Sequence, residues 1–168
     1  MEKLLTRWGK NLDKNLPLND YPRPQLKRDS FINLNGEWNY AILDEFKKFN
    51  GYQGKITVPF SPECILSGVE KIVEPSDILY YQKLFKFKRT NHRALLHFGA
   101  VDYACKVWVN GEFCGSHKGG YTAFEMDITK ALRCGDNTIV VYAEDDQRSG
   151  RQVQGKQCNS YESSCCSY

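Results

Sequence analysis

Apolar residues along this 168-residue chain recur mostly with a period of two, the spacing of strands with one buried face. The clearest stretch is Cys105-Lys106-Val107-Trp108-Val109, then Asn110-Gly111, then Glu112-Phe113-Cys114-Gly115. Asn-Gly between two alternating runs predicts a β-hairpin, because a type I′ turn needs positive φ at both central residues. Leu95, Leu96 and Phe98 precede it as a buried run, and Gly119-Gly120-Tyr121 turns the chain toward a further strand over Ala123–Ile128. Upstream, strand character begins at Phe31 and continues to Tyr40, with a second turn signal at Asn35-Gly36. Lys55–Val58 predicts a short strand that stops at Pro59, and residues 61–75 a loop. Tyr80–Phe87 alternates and predicts a half-buried strand, whereas Asn137–Ala143 is β-branched and apolar and predicts an inner one. Together these elements predict an all-β antiparallel sandwich.

Helical signals are sparse. Leu5, Trp8, Leu12 and Leu16 fit either a short amphipathic helix or an extended arm clipped onto the sandwich. Asp127–Leu132 predicts a single helical turn capped by Asp127 or Thr129. From Asp145 to Tyr168 the only aliphatic residue is Val153, and neither period is present. The chain therefore divides into an arm (1–20), a sandwich (21–144) and a polar tail (145–168), with no internal repeat.

Composition narrows the function classes. Hydrophobic residues make up 41% and charged residues 26%, as in a globular domain and unlike a disordered one. The net charge of +3 is spread over 23 basic and 20 acidic residues, with no basic block to track a phosphate backbone, so nucleic acid is not an expected partner. No apolar run approaches the roughly 18 residues of a spanning helix, so no membrane partner is expected. The N-terminus has no apolar export core, and the seven cysteines are odd in number and irregularly spaced. Both features lead to the expectation of a cytoplasmic protein with mostly reduced thiols. Cys165-Cys166 is poor chelating geometry and His92, His97 and His117 show no ligand spacing, so no metal or other cofactor is expected.

A collinear set of short motifs goes further. Tyr21-Pro-Arg-Pro-Gln25, Leu34-Asn-Gly-Glu-Trp38, Val58-Pro-Phe-Ser-Pro-Glu63, Tyr80-Tyr81 and His97-Phe-Gly-Ala-Val-Asp-Tyr103 occur in that order. Val107-Trp-Val-Asn-Gly111, Gly119-Gly-Tyr121, Phe124, Asp127-Ile128, Glu144-Asp-Asp146 and Gly155-Lys-Gln157 continue it. The series resembles the N-terminal sugar-binding domain of glycoside hydrolase family 2, which contains β-galactosidases, β-glucuronidases and β-mannosidases. The resemblance implies a jelly-roll sandwich of the galactose-binding type. It also implies a further strand, an immunoglobulin-like domain and a TIM barrel downstream, the barrel holding both catalytic glutamates. Because the chain stops at Tyr168, it is expected to be a fragment without catalytic residues, and a β-galactosidase-like context is preferred.

Retaining glycoside hydrolysis needs an acid/base and a nucleophile about 5–5.5 Å apart. Glu37, Glu63, Glu125, Glu144, Asp145 and Asp146 are the candidates, and no pairing among them matches a catalytic motif. Asp145 stands apart. The resemblance implies an acidic or amide residue at this position that reaches into the barrel and accepts hydrogen bonds from vicinal sugar hydroxyls. An ordinary turn aspartate is the competing reading, and both stand open here. Asp146, Lys156, Gln157 and Glu63 are secondary candidates for the same substrate-binding rim. Trp38 and Trp108 are read as core residues ahead of sugar-stacking platforms.

The expected role is thus a non-catalytic, carbohydrate-associated domain that buttresses a barrel and supplies one wall of its site for a β-glycoside. A free-standing carbohydrate-binding module and a structural piece without ligand affinity are the alternatives. The expected partners are a carbohydrate, the downstream domains and, through an edge left open by the absent strand, a second copy of the chain.

Overall fold

Residues 5–44, 46–88, 90–146 and 149–152 are described by a computed structural model of the chain. Eight strands dominate: β1 (Gly36–Asp44), β2 (Gly54–Val58), β3 (Asp77–Phe87), β4 (Leu95–Phe98), β5 (Ala104–Val109), β6 (Glu112–Lys118), β7 (Phe124–Asp127) and β8 (Gly135–Glu144). Six of them form one sheet in the order β2-β1-β3-β8-β5-β6, and β4 pairs with β7 in a second layer. Every pairing is antiparallel. The all-β antiparallel sandwich expected from the alternating pattern is the observed architecture.

The core lies between the layers. Period-two alternation turns Cys105, Val107 and Val109 of β5 inward, and register sets them beside Ala143, Val141 and Ile139 of β8. On the other side of β8, Tyr81 pairs with Val141, and beyond β3 the core continues through Trp38 and Ile56, which oppose each other across β1 and β2. Leu96 and Met126, paired across β4 and β7, close the layer from above with Ile128, Ala131 and Leu132. Val107, Val109 and Ile139 have no exposed surface. Each such burial contributes roughly 1.5–3 kcal/mol.

Trp38 occupies the core as expected, with its indole N–H donating to the Leu34 carbonyl at 2.8 Å. Trp108 does not. The same alternation that buries Val107 and Val109 sends Trp108 to the opposite face, where it is half-buried against Phe113 at 5.7 Å between ring centres. That outer face also carries a run of rings: Phe49 lies 5.1 Å from Tyr80, and Tyr80 lies 5.5 Å from Tyr142.

Local signals are recovered in part. Asn110 and Gly111 have φ of +51° and +85°, as the β5–β6 turn requires. Strand structure starts at Gly36 and not at Phe31, and among the described residues the N-terminal arm contributes one helical turn, Arg7–Lys10, capped by the Thr6 hydroxyl on the Gly9 N–H at 3.1 Å. Residues 128–132 form the single turn expected there, with the Ala131 and Leu132 N–H groups both donating to the Ile128 carbonyl, at 3.1 and 3.2 Å. Among the described residues, no helix is long and apolar enough to cross a membrane.

Asp127 starts that turn, accepting from the Thr129 N–H at 3.0 Å and from its hydroxyl, while Arg93 Nε approaches the other oxygen at 3.0 Å. The Thr129 bonds first, and then Arg93, hold the Asp127 carboxyl at about 2, below its ordinary 3.8. A depressed native value contributes stability above the unfolded-state pKa that disappears as pH falls through the native one. The chain should therefore lose stability between pH 3.8 and about 2 more steeply than Asp127→Asn does. Urea midpoints measured across that window test this, and parallel curves for the two proteins would exclude it.

Candidate functional site

The end of β8 is where the chemistry-bearing residues collect. Three backbone segments are stitched together there. The Glu144 carbonyl accepts from the Tyr103 N–H at 3.0 Å, and the Tyr103 carbonyl accepts from the Gly119 N–H at 2.8 Å. The β4–β5 loop, the β6–β7 loop and the exit of β8 thus share one rim. The Asp102–Tyr103 peptide in this rim is cis.

Asp145 is the first residue beyond β8 and is half-buried. Its carboxylate accepts a short hydrogen bond from Gln152 Nε2. The segment that carries Gln152 is folded back by its own contacts: Ser149 N–H and hydroxyl reach the Asp146 carbonyl at 3.1 and 2.7 Å, and Tyr103 O–H donates to the Arg151 carbonyl at 3.3 Å. Asp145 and Asp146 are therefore together on the rim, with Asp146 exposed. Glu144 is turned back onto its own strand by a short hydrogen bond from Tyr142 O–H.

Glu63 belongs to a loop. It sits in the β2–β3 connection and accepts from the Val73 N–H at 3.1 Å. Its charge is felt by Tyr81, whose phenol pKa is raised by burial first and by Glu63 second. Lys156 and Gln157 lie outside the described residues.

Asp102, Tyr103 and Gln152 complete the rim and were not singled out from the sequence. One signal pointed at them. Gly119-Gly120 marks a place where backbone comes close, and a Cβ on Gly120 would fall 2.1 Å from Asp102 Oδ1. The glycine pair therefore does more than turn the chain, since it admits the Asp102 side chain to the rim.

Chemically, the rim is a set of hydrogen-bond acceptors on rigid strand ends, suited to hydroxyl donors. Two other candidate carboxylates make exposed ion pairs. Glu37 pairs with Lys55 at 3.0 Å and Glu125 with His97 at 3.2 Å, on different strands. Among the described residues, no group of three or more His, Cys, Asp or Glu could hold a metal ion.

Comparison with known proteins now fits this geometry. The family model "Glycosyl hydrolases family 2, sugar binding domain" matches residues 73–153, from just before β3 through the rim. A β-galactosidase of Thermoanaerobacter pseudethanolicus is 30% identical over 129 residues, which span 73% of this chain and 17% of that protein. The chain belongs to glycosyl hydrolase family 2, by its sugar-binding domain. A β-glucuronidase of Bacteroides fragilis is 27% identical over 122 residues, covering 70% of this chain and 17% of that protein. Among solved structures, a β-glucuronidase of Faecalibacterium prausnitzii superposes with a TM-score of 0.54 at 27% identity, over 74% of this chain and 22% of that one. Measured against these family 2 relatives, the chain spans about a fifth of their length.

Proposed function

We propose that this family 2 domain supplies one wall of a β-glycoside site that a catalytic domain completes, and that Asp145 is the residue presented to the sugar. The observation that carries this is the placement of Asp145: first beyond a central strand, half-buried, and aimed by Gln152. A carboxylate on backbone fixed by the sheet is the acceptor type that two neighbouring sugar hydroxyls require. Asp102 and Asp146 flank it on the same rim. Hydrolysis itself is assigned to residues outside the described sandwich, where the carboxylates serve the structural contacts given above.

A domain exchange tests the proposal. Residues 73–153 are substituted for the matching segment of the T. pseudethanolicus β-galactosidase, the 30%-identical relative. The chimera should hydrolyse nitrophenyl β-galactoside. Asp145→Ala within it should lower kcat/KM by about ten- to a hundredfold, the ~1.4–2.8 kcal/mol expected for a lost charge-assisted hydrogen bond. A folded, active chimera indifferent to Asp145→Ala would overturn the assignment.

A further inference from the structure

The sheet has a second polar cleft, at the opposite end from the rim. β1 and β3 pair only from Asn39↔Gln82 onward, although β1 begins at Gly36 and β3 continues to Phe87. The two strands splay beyond that point and open a cleft of about 320 Å³ lined by Asn15, Glu37, Asn39, Lys55, Gln82, Lys83 and Leu84. That volume is at the lower end of the range for small-ligand sites, roughly 300–1,000 Å³. The cleft is level with Thr138, the partner of Leu84 on β8. Asp145 lies seven residues further along the chain, roughly 23 Å away at ~3.3 Å per residue.

Its lining is organised. Asn39 Nδ2 donates to Gln82 Oε1 at 2.7 Å, which orients both amides. The remaining Asn39 N–H, Asn39 Oδ1 and both N–H groups of Gln82 are offered at the cleft. Lys83 Nζ crosses the splay to the Glu37 carbonyl at 2.9 Å, a group that the diverging strand leaves without its ladder partner. Lys55 pairs with the Glu37 carboxylate at 3.0 Å, with both side chains about three-fifths exposed, so this pair is screened and readily exchanged. Two ammonium groups thus face one carboxylate. Leu84, 65% exposed, supplies an apolar flank.

We propose that this cleft binds a monosaccharide unit carrying a carboxylate, either free or at the end of a glycan, as a second site independent of the rim. Asn39 presents a donor and an acceptor and Gln82 two donors in fixed positions, which together suit hydroxyls that donate and accept at once. Lys55 and Lys83 supply the excess positive charge that an anionic sugar needs, and Leu84 covers its C–H face.

The test uses the full chain, with backbone amide shifts followed by NMR while glucuronate, glucose or acetate is added. Glucuronate should move the signals of residues 37–39 and 82–84 with millimolar affinity, at least fivefold tighter than either glucose or acetate, because it alone satisfies both amides and ammoniums. Gln82→Ala should weaken glucuronate about tenfold, and Lys55→Gln, an exposed change that spares the fold, several-fold. Asp145→Ala should leave this binding unchanged. Absence of shifts at these residues at tens of millimolar would overturn the site. Glucose or acetate equalling glucuronate would overturn the ligand class, and glucuronate shifts confined to residues 102 and 145–146 would assign the sugar to the rim alone.

Discussion

Asn137→Ala is expected to remove about 3 kcal/mol of stability, the largest loss among single side-chain truncations outside the aliphatic core. Asn137 is 2% exposed, and its amide is fully engaged. Its Oδ1 accepts from the Arg133 N–H at 2.8 Å and from Asn110 Nδ2 at 2.7 Å. Its Nδ2 donates to the Arg133 and Gly135 carbonyls at 2.8 and 2.9 Å. Asn110 in turn donates to the Ala131 carbonyl at 2.8 Å and accepts from the Thr138 N–H at 3.0 Å. The pair ties the β5–β6 turn to the β7–β8 connection. Truncation leaves several part-buried groups without partners, each costing about 1–3 kcal/mol where water cannot reach it. Asn137→Asp keeps the acceptor and loses the donors, so its loss should be smaller than that of the alanine variant at high pH only if water replaces the donors. Urea midpoints at a common m-value measure both, and a loss below about 1 kcal/mol for Asn137→Ala would show that the network is not cooperative.

Gly36→Ala is expected to cost a similar amount, about 3 kcal/mol, by a different route. Gly36 opens β1 with φ of +101°, and a Cβ there would fall 2.2 Å from the Asn15 carbonyl oxygen. That oxygen belongs to the backbone and cannot swing aside. Gly68→Ala is the control: φ is +79° and nothing lies within 4 Å of the added atom, so it bears the backbone strain alone, roughly 1 kcal/mol. The difference between the two variants isolates the contact between arm and sheet. Gly36→Ala should also expose the arm, which is docked by Asn35 Nδ2 to the Pro17 carbonyl at 3.2 Å, to faster proteolytic cleavage. Equal costs for the two variants, with unchanged cleavage, would show that the arm does not bear on the start of β1.

Both residues show how far the chain could be read unaided. Asn110-Gly111 announced its hairpin because a turn is local, and positive φ at Asn110 was expected from residue type alone. That the Asn110 amide also grips Asn137, 27 residues away, has no local signature. Asn35-Gly36 likewise announced an unusual backbone, but its purpose lies in Asn15, which a turn motif does not reveal. Trp108 reads as a core residue because it lies in a patterned strand, yet the alternation that buries Val107 and Val109 turns it to the outer face. For the rim, Asp145 is singled out by its place after an apolar strand together with the family resemblance, whereas the hydrogen bond from the Val73 N–H to Glu63 has no signature in the sequence.

Short-range features are legible along the chain alone: alternating strands, tight turns, an all-β class and, through an ordered series of motifs, a family. These follow from side-chain period and backbone φ preferences, which act within a few residues. Which distant segments share an edge emerges only from the folded sheet. Asp102, Tyr103, Asp145 and Gln152 meet at one end of β8, and Asn39, Gln82 and Lys83 line a splay at the other, because sheet order and register bring them there. Register is a property of pairs of strands and of the core both must cover, so no stretch of chain carries it alone.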